Sequence, residues 1–587
     1  MTIQWRRAAG IGLVAALTLA ACQPATAPGP SPTTGAAATT AAAQRGRGDD
    51  LKILYWQAPT ILNPHLSTGT KDFDAARLVL EPLASWGPDG KPLANGLASE
   101  IPTIANGGIK ADLTEVTWKL RTGVKWSDGT AFTADDVAFT YALTADKAAA
   151  TSTNGATTGV KSVVAKDANT VVVTYDAPTP NSYQWGLAGQ SMILQKAQFS
   201  AFTGAKLKDA PGNVKPIGTG PYKVVEFKSG DVVTYTMNEN YRDPNKPYFK
   251  TVTFKGGGDA PSSARAVFQT GDVDYAWNLQ VEASVLKPMA DTSTKGQMLL
   301  AYGSSSERLV INFANPNAPG DTRSEPTTKH PYFNGVDGKI VRTALAMATD
   351  RKTVATQIYG DAGKPGCNIV TGVAEYESKN TTEFCNKFDV AGAAKMLDDA
   401  GWKLGTDNVR AKGGVKLEMT FQTTVNAVRQ KTQDIMKANW EKAGFKVTLK
   451  SVPADVFFTN TSPDGANHFF ADVEMFTNNS EQPDMTTYIT DYTTAQITQK
   501  SNNWNAGNYG RYSNPEFDTT VEQLRKEADP AKRAALFIKA NDILILDVVI
   551  IPIVSRTQVT SGISKALKNV IPGGWDSEMY QVADWAK

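Results

Sequence analysis

The stretch 417–449, LEMTFQTTVNAVRQKTQDIMKANWEKAGFKVTL, carries the pattern that decides the fold. Leu417, Met419 and Phe421 alternate with polar residues, the period of a strand with one buried face. The period then lengthens: Ile435, Met436 and Trp440 recur at helical spacing and give a helix its apolar stripe. Alternation returns at Val447 and Leu449. Strand, helix and strand in this order make a βαβ unit, and a chain built of such signals is an α/β protein.

Similar signals extend in both directions. Upstream, Val116, Trp118 and Leu120 read as a half-buried strand, and 169–175 as a valine-rich one. Thr133 is placed to cap a helix whose start holds Asp135 and Asp136, acids that favour the positive helix end. Val137, Tyr141 and Thr144 follow at helical spacing. Asp337 is predicted to cap a helix through Val341, Leu345 and Ala348, and Asp350 a second that ends near Gly360. Asp389 opens a third, closed by Gly401. Asp529-Pro530 starts another, with proline at its first position. That helix is predicted to run into the apolar stretch 543–551 and to stop at Pro552.

The chain has 587 residues, too many for one hydrophobic core, so two or three domains are expected. It is 41% hydrophobic and 20% charged, with a formal net charge of +2 and no long block of like charge. Nucleic-acid binding, which needs a clustered basic surface, is not expected. The first residues read as an export signal: Arg6 and Arg7 give a positive start, and 8–17 an apolar run too short for the roughly 20 residues of a membrane span. Leu19-Ala20-Ala21-Cys22 resembles the bacterial lipobox, whose processing would remove residues 1–21 and leave a diacylated Cys22. From 22 to 50 the chain is mainly Ala, Thr, Pro, Gly and Ser, a disordered tether by composition. Setting Cys22 aside leaves Cys367 and Cys385, an even pair expected to be oxidised in an exported protein. Two buried thiols in a reduced compartment are the alternative if the leader is misread.

Signatures of catalysis are missing. There is no H-E-x-x-H, and His65, His330 and His468 lie far apart. There is no G-x-S-x-G elbow and no phosphate loop; 256–258, three glycines, reads as a turn. No catalytic residue, metal or cofactor is expected. A tethered hydrolase and a lipoprotein that only scaffolds or senses are the readings from other classes.

Six colinear segments resemble one family, the extracellular solute-binding proteins of the peptide/nickel type, family 5. They are LRTGVKWSDGTAFTADDV at 120–137, PIGTGPYKVVEF at 216–227, GDVD at 271–274, VRTALAMATDR at 341–351, MLDDAGW at 396–402 and NPEFD at 514–518. The resemblance implies a periplasmic-binding-protein-like two-lobe cleft with an extra domain, the three-domain oligopeptide-binding type. Domain I would comprise 51–90, 217–306 and 556–587, domain II 91–216 and domain III 307–555. Hinge crossings would fall near 304–309 and 552–556. It also implies a monomeric substrate-binding protein of an ABC importer. Such a protein captures a small molecule or peptide in the cleft and delivers it to the permease subunits. The membrane would be reached only through the lipid anchor, in the periplasm or on the outer face of the cell membrane.

Peptide binders of this family hold the ligand's ammonium with an Asp in a segment W-x-x-D-x-x-[DE]-P. Here the aligned segment is FTNNSEQP at 476–483, so Phe476, Asn479 and Gln482 replace the aromatic and the two acids. An amide cannot pair ionically with a buried ammonium. Glu481 or Asp484 would substitute if the register shifts. The change opens oligosaccharide or nickel-chelate ligands beside oligopeptides, since amides and rings suit polyhydroxylated solutes. The expected ligand-binding set therefore includes Phe476, Asn478, Asn479, Gln482 and Asp484, with Trp504 and Tyr509 from the segment that follows. Thr68, Gly69 and Thr70, then Trp277, Asn278 and Asn312, are implied on the domain I side and after the first crossing.

Overall fold

The computed structural model describes residues 44–67, 69–459, 462–480 and 482–587. The expected leader and Cys22 lie outside the described residues, as do Thr68 and Glu481. The tether boundary moves. Arg45 already donates to the carbonyls of Asn238 (3.1 Å) and Glu239 (2.7 Å), and strand β1 (Gly48–Tyr55) begins before residue 50. Backbone pairing of Gly48 with Phe249 holds this segment in spite of its small and polar side chains.

Helix α1 (Thr70–Arg77) follows β1. A separate antiparallel sheet comes next, made of β2 (Glu115–Lys119), β3 (Val160–Asp167) and β4 (Thr170–Tyr175) in the order β2-β4-β3. Its helix α2 (Ala134–Ala145) starts as the sequence predicts: Thr133 and Asp136 form a reciprocal capping box. Trp118, Val171, Val173 and Trp185 fill the core of this part.

The main sheet has 11 strands. One flank holds β1 with β5 (Tyr222–Lys228), β6 (Val232–Met237), β7 (Phe249–Gly256) and β8 (Tyr275–Ala276). Two long strands run through the middle, β9 (Gly296–Ile311) and, at the end of the chain, β14 (Ile550–Ser564). The other flank is reached through helices α3 (Gly335–Met347) and α4 (Val390–Asp399), and a short strand β10 (Gly363–Pro365) pairs with β14. The βαβ unit read from sequence is there: β11 (Glu418–Thr424), α5 (Ala427–Lys442) and β12 (Lys446–Val452), with the two strands parallel. Strand β13 (Val473–Asn478) pairs parallel to β11 and antiparallel to β9, and helices α6 (Pro515–Lys526) and α7 (Pro530–Leu546) precede β14. The strand order is β12-β11-β13-β9-β14-β8-β1-β7-β6-β5.

The pairing of β9 with β14 shifts register between Ala301 and Tyr302, between Tyr302 and Ser306, and again between Glu307 and Arg308. The chain therefore bends where it passes from one flank to the other. Gly218 is needed for a close approach: a Cβ there would lie 1.9 Å from the Val79 carbonyl oxygen. Cys367 and Cys385 form a disulfide with Cα atoms 5.5 Å apart.

Two expectations fail locally. Asp337 is not the cap of α3; Asn334 is, and Asp337 sits in the first turn, where its charge still favours the helix. The last helix does not run to Pro552. It ends at Leu546, Val548 takes φ +50°, and the apolar stretch restarts as β14 with Pro552 inside it. Pro552 lies opposite Arg308 beside a register shift, where a missing N–H is tolerated.

Candidate binding cleft

Four strands present their carboxyl ends to one place, the position where open α/β sheets take ligands. Trp56 follows β1, Trp277 and Asn278 follow β8, Thr424 ends β11 and Asn478 ends β13. Three cavities of about 170, 270 and 240 Å³ lie there, and all three are lined by Asn479. Their walls come from both flanks of the sheet, and Asn426 Nδ2 donates to Gln280 Oε1 across them at 2.6 Å.

Local rules fix the wall residues. Asn479 leaves the end of β13, where its N–H meets Asn478 Oδ1 at 3.1 Å. The next residue is pinned to β9, with Ser480 N–H donating to Ser304 Oγ at 2.7 Å. The Asn479 side-chain amide has no partner among the described residues. Trp277 stacks flat on Tyr55, with centroids 4.7 Å apart and 4° between planes. Asn278 adopts φ +50°, which Asn tolerates better than most residues. That turn lets its carbonyl accept from Trp56 Nε1 (3.0 Å) and its Oδ1 from Arg556 (3.3 Å).

The cavities are rich in carboxylates. Asp74 is fully buried and accepts from Tyr55 Oη at 2.7 Å, from Ser577 Oγ and from Glu578 N–H at 3.1 Å. Glu578 accepts from Ser561 Oγ at 2.8 Å and from Tyr275 Oη. Burial, and then their mutual repulsion, raise the pKa of Glu578, and burial raises that of Asp74. Burial also raises Asp576, against the pull of Arg77. On the opposite wall Glu307 behaves differently. Burial pushes its carboxyl up, but Arg429 at 2.9 Å overcomes this and holds it below the usual carboxylate value. This donor set supports binding of a polar solute by hydrogen bonds, charge and aromatic faces. Among the described residues no group of three His, Cys, Asp or Glu side chains could hold a metal ion.

Of the residues singled out from sequence, the cavities gather Thr70, Trp277, Asn278, Asn478, Asn479, Gln482 and Asp484. Asp484 is held by Arg533 at 2.6 Å, and Gln482 Oε1 accepts from Asn181 at 3.2 Å. Five others lie outside the linings. Gly69 precedes α1 as its cap. Asn312 is fully buried, its amide donating to the Phe469 (2.8 Å) and Ala471 (3.0 Å) carbonyls and to Ser324 Oγ (3.1 Å). Phe476 is packed among Phe457, Phe458 and Tyr509 and lines none of the three cavities. Tyr509 is its neighbour, and Trp504 stacks on His468 at 4.5 Å. Sequence reading missed Asp74, Arg429, Asp491, Arg556, Gln558, Asp576 and Glu578. For Arg429 a signal existed: Asn426 caps α5 directly after a parallel strand, at the end where ligands bind.

Residues 94–500 match the family model described as bacterial extracellular solute-binding proteins, family 5 Middle. The oligopeptide-binding protein AppA of Bacillus subtilis is 25% identical over 454 residues, covering 77% of each chain. A putative ABC transporter peptide-binding protein of Brucella ovis is 26% identical over 340 residues, 58% of each chain. The structure of AppA with a nonapeptide superposes with a TM-score of 0.73 at 22% identity, over 93% of this chain and 100% of AppA. NikZ of Campylobacter jejuni with Ni(L-His) gives 0.75 at 20% identity, over 92% and 99%. The fold is thus the two-lobe, periplasmic-binding-protein-like α/β architecture, and the chain belongs to the bacterial extracellular solute-binding proteins of family 5.

Proposed function

We propose that this protein captures an oligopeptide, or a solute of similar size, in the cleft around Asn479 and delivers it unaltered to the permease of an ABC importer. The observation that carries this reading is the convergence of four strand ends on three adjoining cavities that share one residue. Peptide binding by AppA and the ABC transporter name of the Brucella protein support it. The walls offer Asn478, Asn479, Gln558 and Gln280, amides that pair with peptide groups. Binding without catalysis is the function proposed.

The domain division is part of the proposal: domain I as 51–90, 217–306 and 556–587, domain II as 91–216 and domain III as 307–555. The register shift between Tyr302 and Ser306 supports a hinge there. Solute contacts made from both flanks favour a closed state over an open one. The protein acts as a monomer, exported and held to the membrane through Cys22.

A thermal-shift panel of oligopeptides, oligosaccharides and nickel chelates tests this. A cognate solute at about 100 times its Kd adds about 2.7 kcal/mol of stability. A panel in which nothing stabilises the protein, or in which a member is turned over, removes the reading.

A further inference from the structure

The amides Asn478, Asn479 and Gln482 that line the 170 Å³ cavity carry no charge to meet a charged solute. Of the acids near it, Asp484 is committed to Arg533, with oxygen–nitrogen distances of 2.6 and 3.1 Å. Asp491 is different. It lines the 170 Å³ cavity together with Asn479, Gln482 and Tyr488. Its carboxylate accepts no hydrogen bond and makes no ion pair among the described residues. Gly507 packs close behind it, so that a Cβ there would come within 2.8 Å of Asp491 Oδ1. Arg308 pulls on its charge but donates to Tyr488 Oη at 3.0 Å and lies 5.2 to 5.9 Å from the ring centres of Phe476, Tyr488 and Tyr492. In the adjoining cavities Asp74, Asp576 and Glu578 also lack an ion pair with any described lysine or arginine.

We propose that Asp491 is the ionic anchor for a positively charged group of the solute, the contact that Asn479 cannot supply; this rests on the solute-binding reading of the cleft. Asp491 is half-buried, and a carboxylate partly withdrawn from water without a partner gains from an entering ammonium through a charge-assisted hydrogen bond. Burial pushes the Asp491 pKa up to about 6, against the pull of Arg308, in keeping with a charge that lacks a full partner. The neutral amides of Asn478, Asn479 and Gln482 then orient the groups beside the ammonium. The cleft thereby selects solutes with a free amine or another cation.

The test uses alanine peptides of three to nine residues, each with a free and with an acetylated amino terminus, titrated calorimetrically into the full mature protein. Wild type should bind the free-amine peptides about 10- to 100-fold tighter than the acetylated ones. Asp491→Asn should lose that factor for free-amine peptides only, with its unliganded melting temperature unchanged or raised. Asn479→Asp in the Asp491→Asn background, placing a carboxylate on the same cavity, should restore it. Equal binding of both peptide forms by wild type, or unchanged free-amine affinity in Asp491→Asn, overturns the anchor and leaves solute binding intact. Binding of a neutral oligosaccharide but of no amine probe overturns it too. Binding of nothing at all overturns the solute-binding reading and the anchor with it.

Discussion

Glu307 and Arg429 form an ion pair buried beside the cleft, Oε1 to Nε at 2.9 Å, with Thr424 Oγ1 accepting from the same guanidinium at 2.8 Å. Burial alone works against both charges, and each is stabilised by the other. Removing one partner leaves the other charged in a poorly solvated place. Arg429→Met is therefore expected to cost about 3–5 kcal/mol in urea denaturation. The double change with Glu307→Gln should recover much of that. A single variant as stable as wild type would mean that the pair is solvated.

Asn312 separates scaffold from lining. Its amide satisfies the Phe469 and Ala471 carbonyls in the interior, away from all three cavities. Asn312→Ala should lower stability by about 1–3 kcal/mol, the cost of leaving buried polar groups unmade. Solute affinity measured well below the melting temperature should stay within about twofold of wild type. A large loss of affinity with stability unchanged would place Asn312 in the site after all.

His65 gives the fold an acid sensitivity. It is fully buried, with Nδ1 2.8 Å from Thr153 Oγ1 and Nε2 2.8 Å from the Met192 carbonyl. Burial lowers its pKa from 6.5 to about 4, so the folded state keeps it neutral while the unfolded chain protonates. The contribution is complete above pH 6.5 and is lost as pH falls through about 4. It amounts to on the order of 3 kcal/mol. Denaturant titrations at pH 7, 5.5 and 4 should show this slope, reduced in His65→Gln; equal slopes in both proteins would contradict it.

The disulfide closes a loop with a sequence separation of 18. Reduction, or the paired change Cys367→Ser and Cys385→Ser, should cost about 3 kcal/mol, mostly through the unfolded chain. Equilibrium unfolding with and without reductant measures it. The cleft lies elsewhere, so solute affinity should hardly change.

Much of the fold was legible because one-dimensional periods report burial. The change from Phe421 to Trp440 to Val447 fixed a βαβ unit, and Thr133, Asp350, Asp389 and Asp529 each cap where expected. Pro552 misled because a proline that stops a helix is also tolerated at a strand irregularity, and only the partner strand decides which. The cleft was half legible. Asn478, Asn479 and Trp277 sit at strand ends, which sequence can locate. Asp576 and Glu578 come from the C-terminal segment and reach Asp74 only through the tertiary fold, which no local pattern encodes. Phe476 was drawn in by its neighbours in sequence, yet its ring packs on Phe457, Phe458 and Tyr509, contacts that come from distant segments and that no local pattern encodes.

Native mass spectrometry of the mature protein with its tightest panel solute bears on all of this at once, comparing wild type with Asn479→Trp. Asn479 lines all three cavities, so an indole there should fill the space. Wild type should carry one solute of unchanged mass, and Asn479→Trp should carry none while melting within a few degrees of wild type. Equal occupancy of the two proteins, or a solute released with an altered mass, would contradict a cleft that holds its solute at Asn479 without changing it.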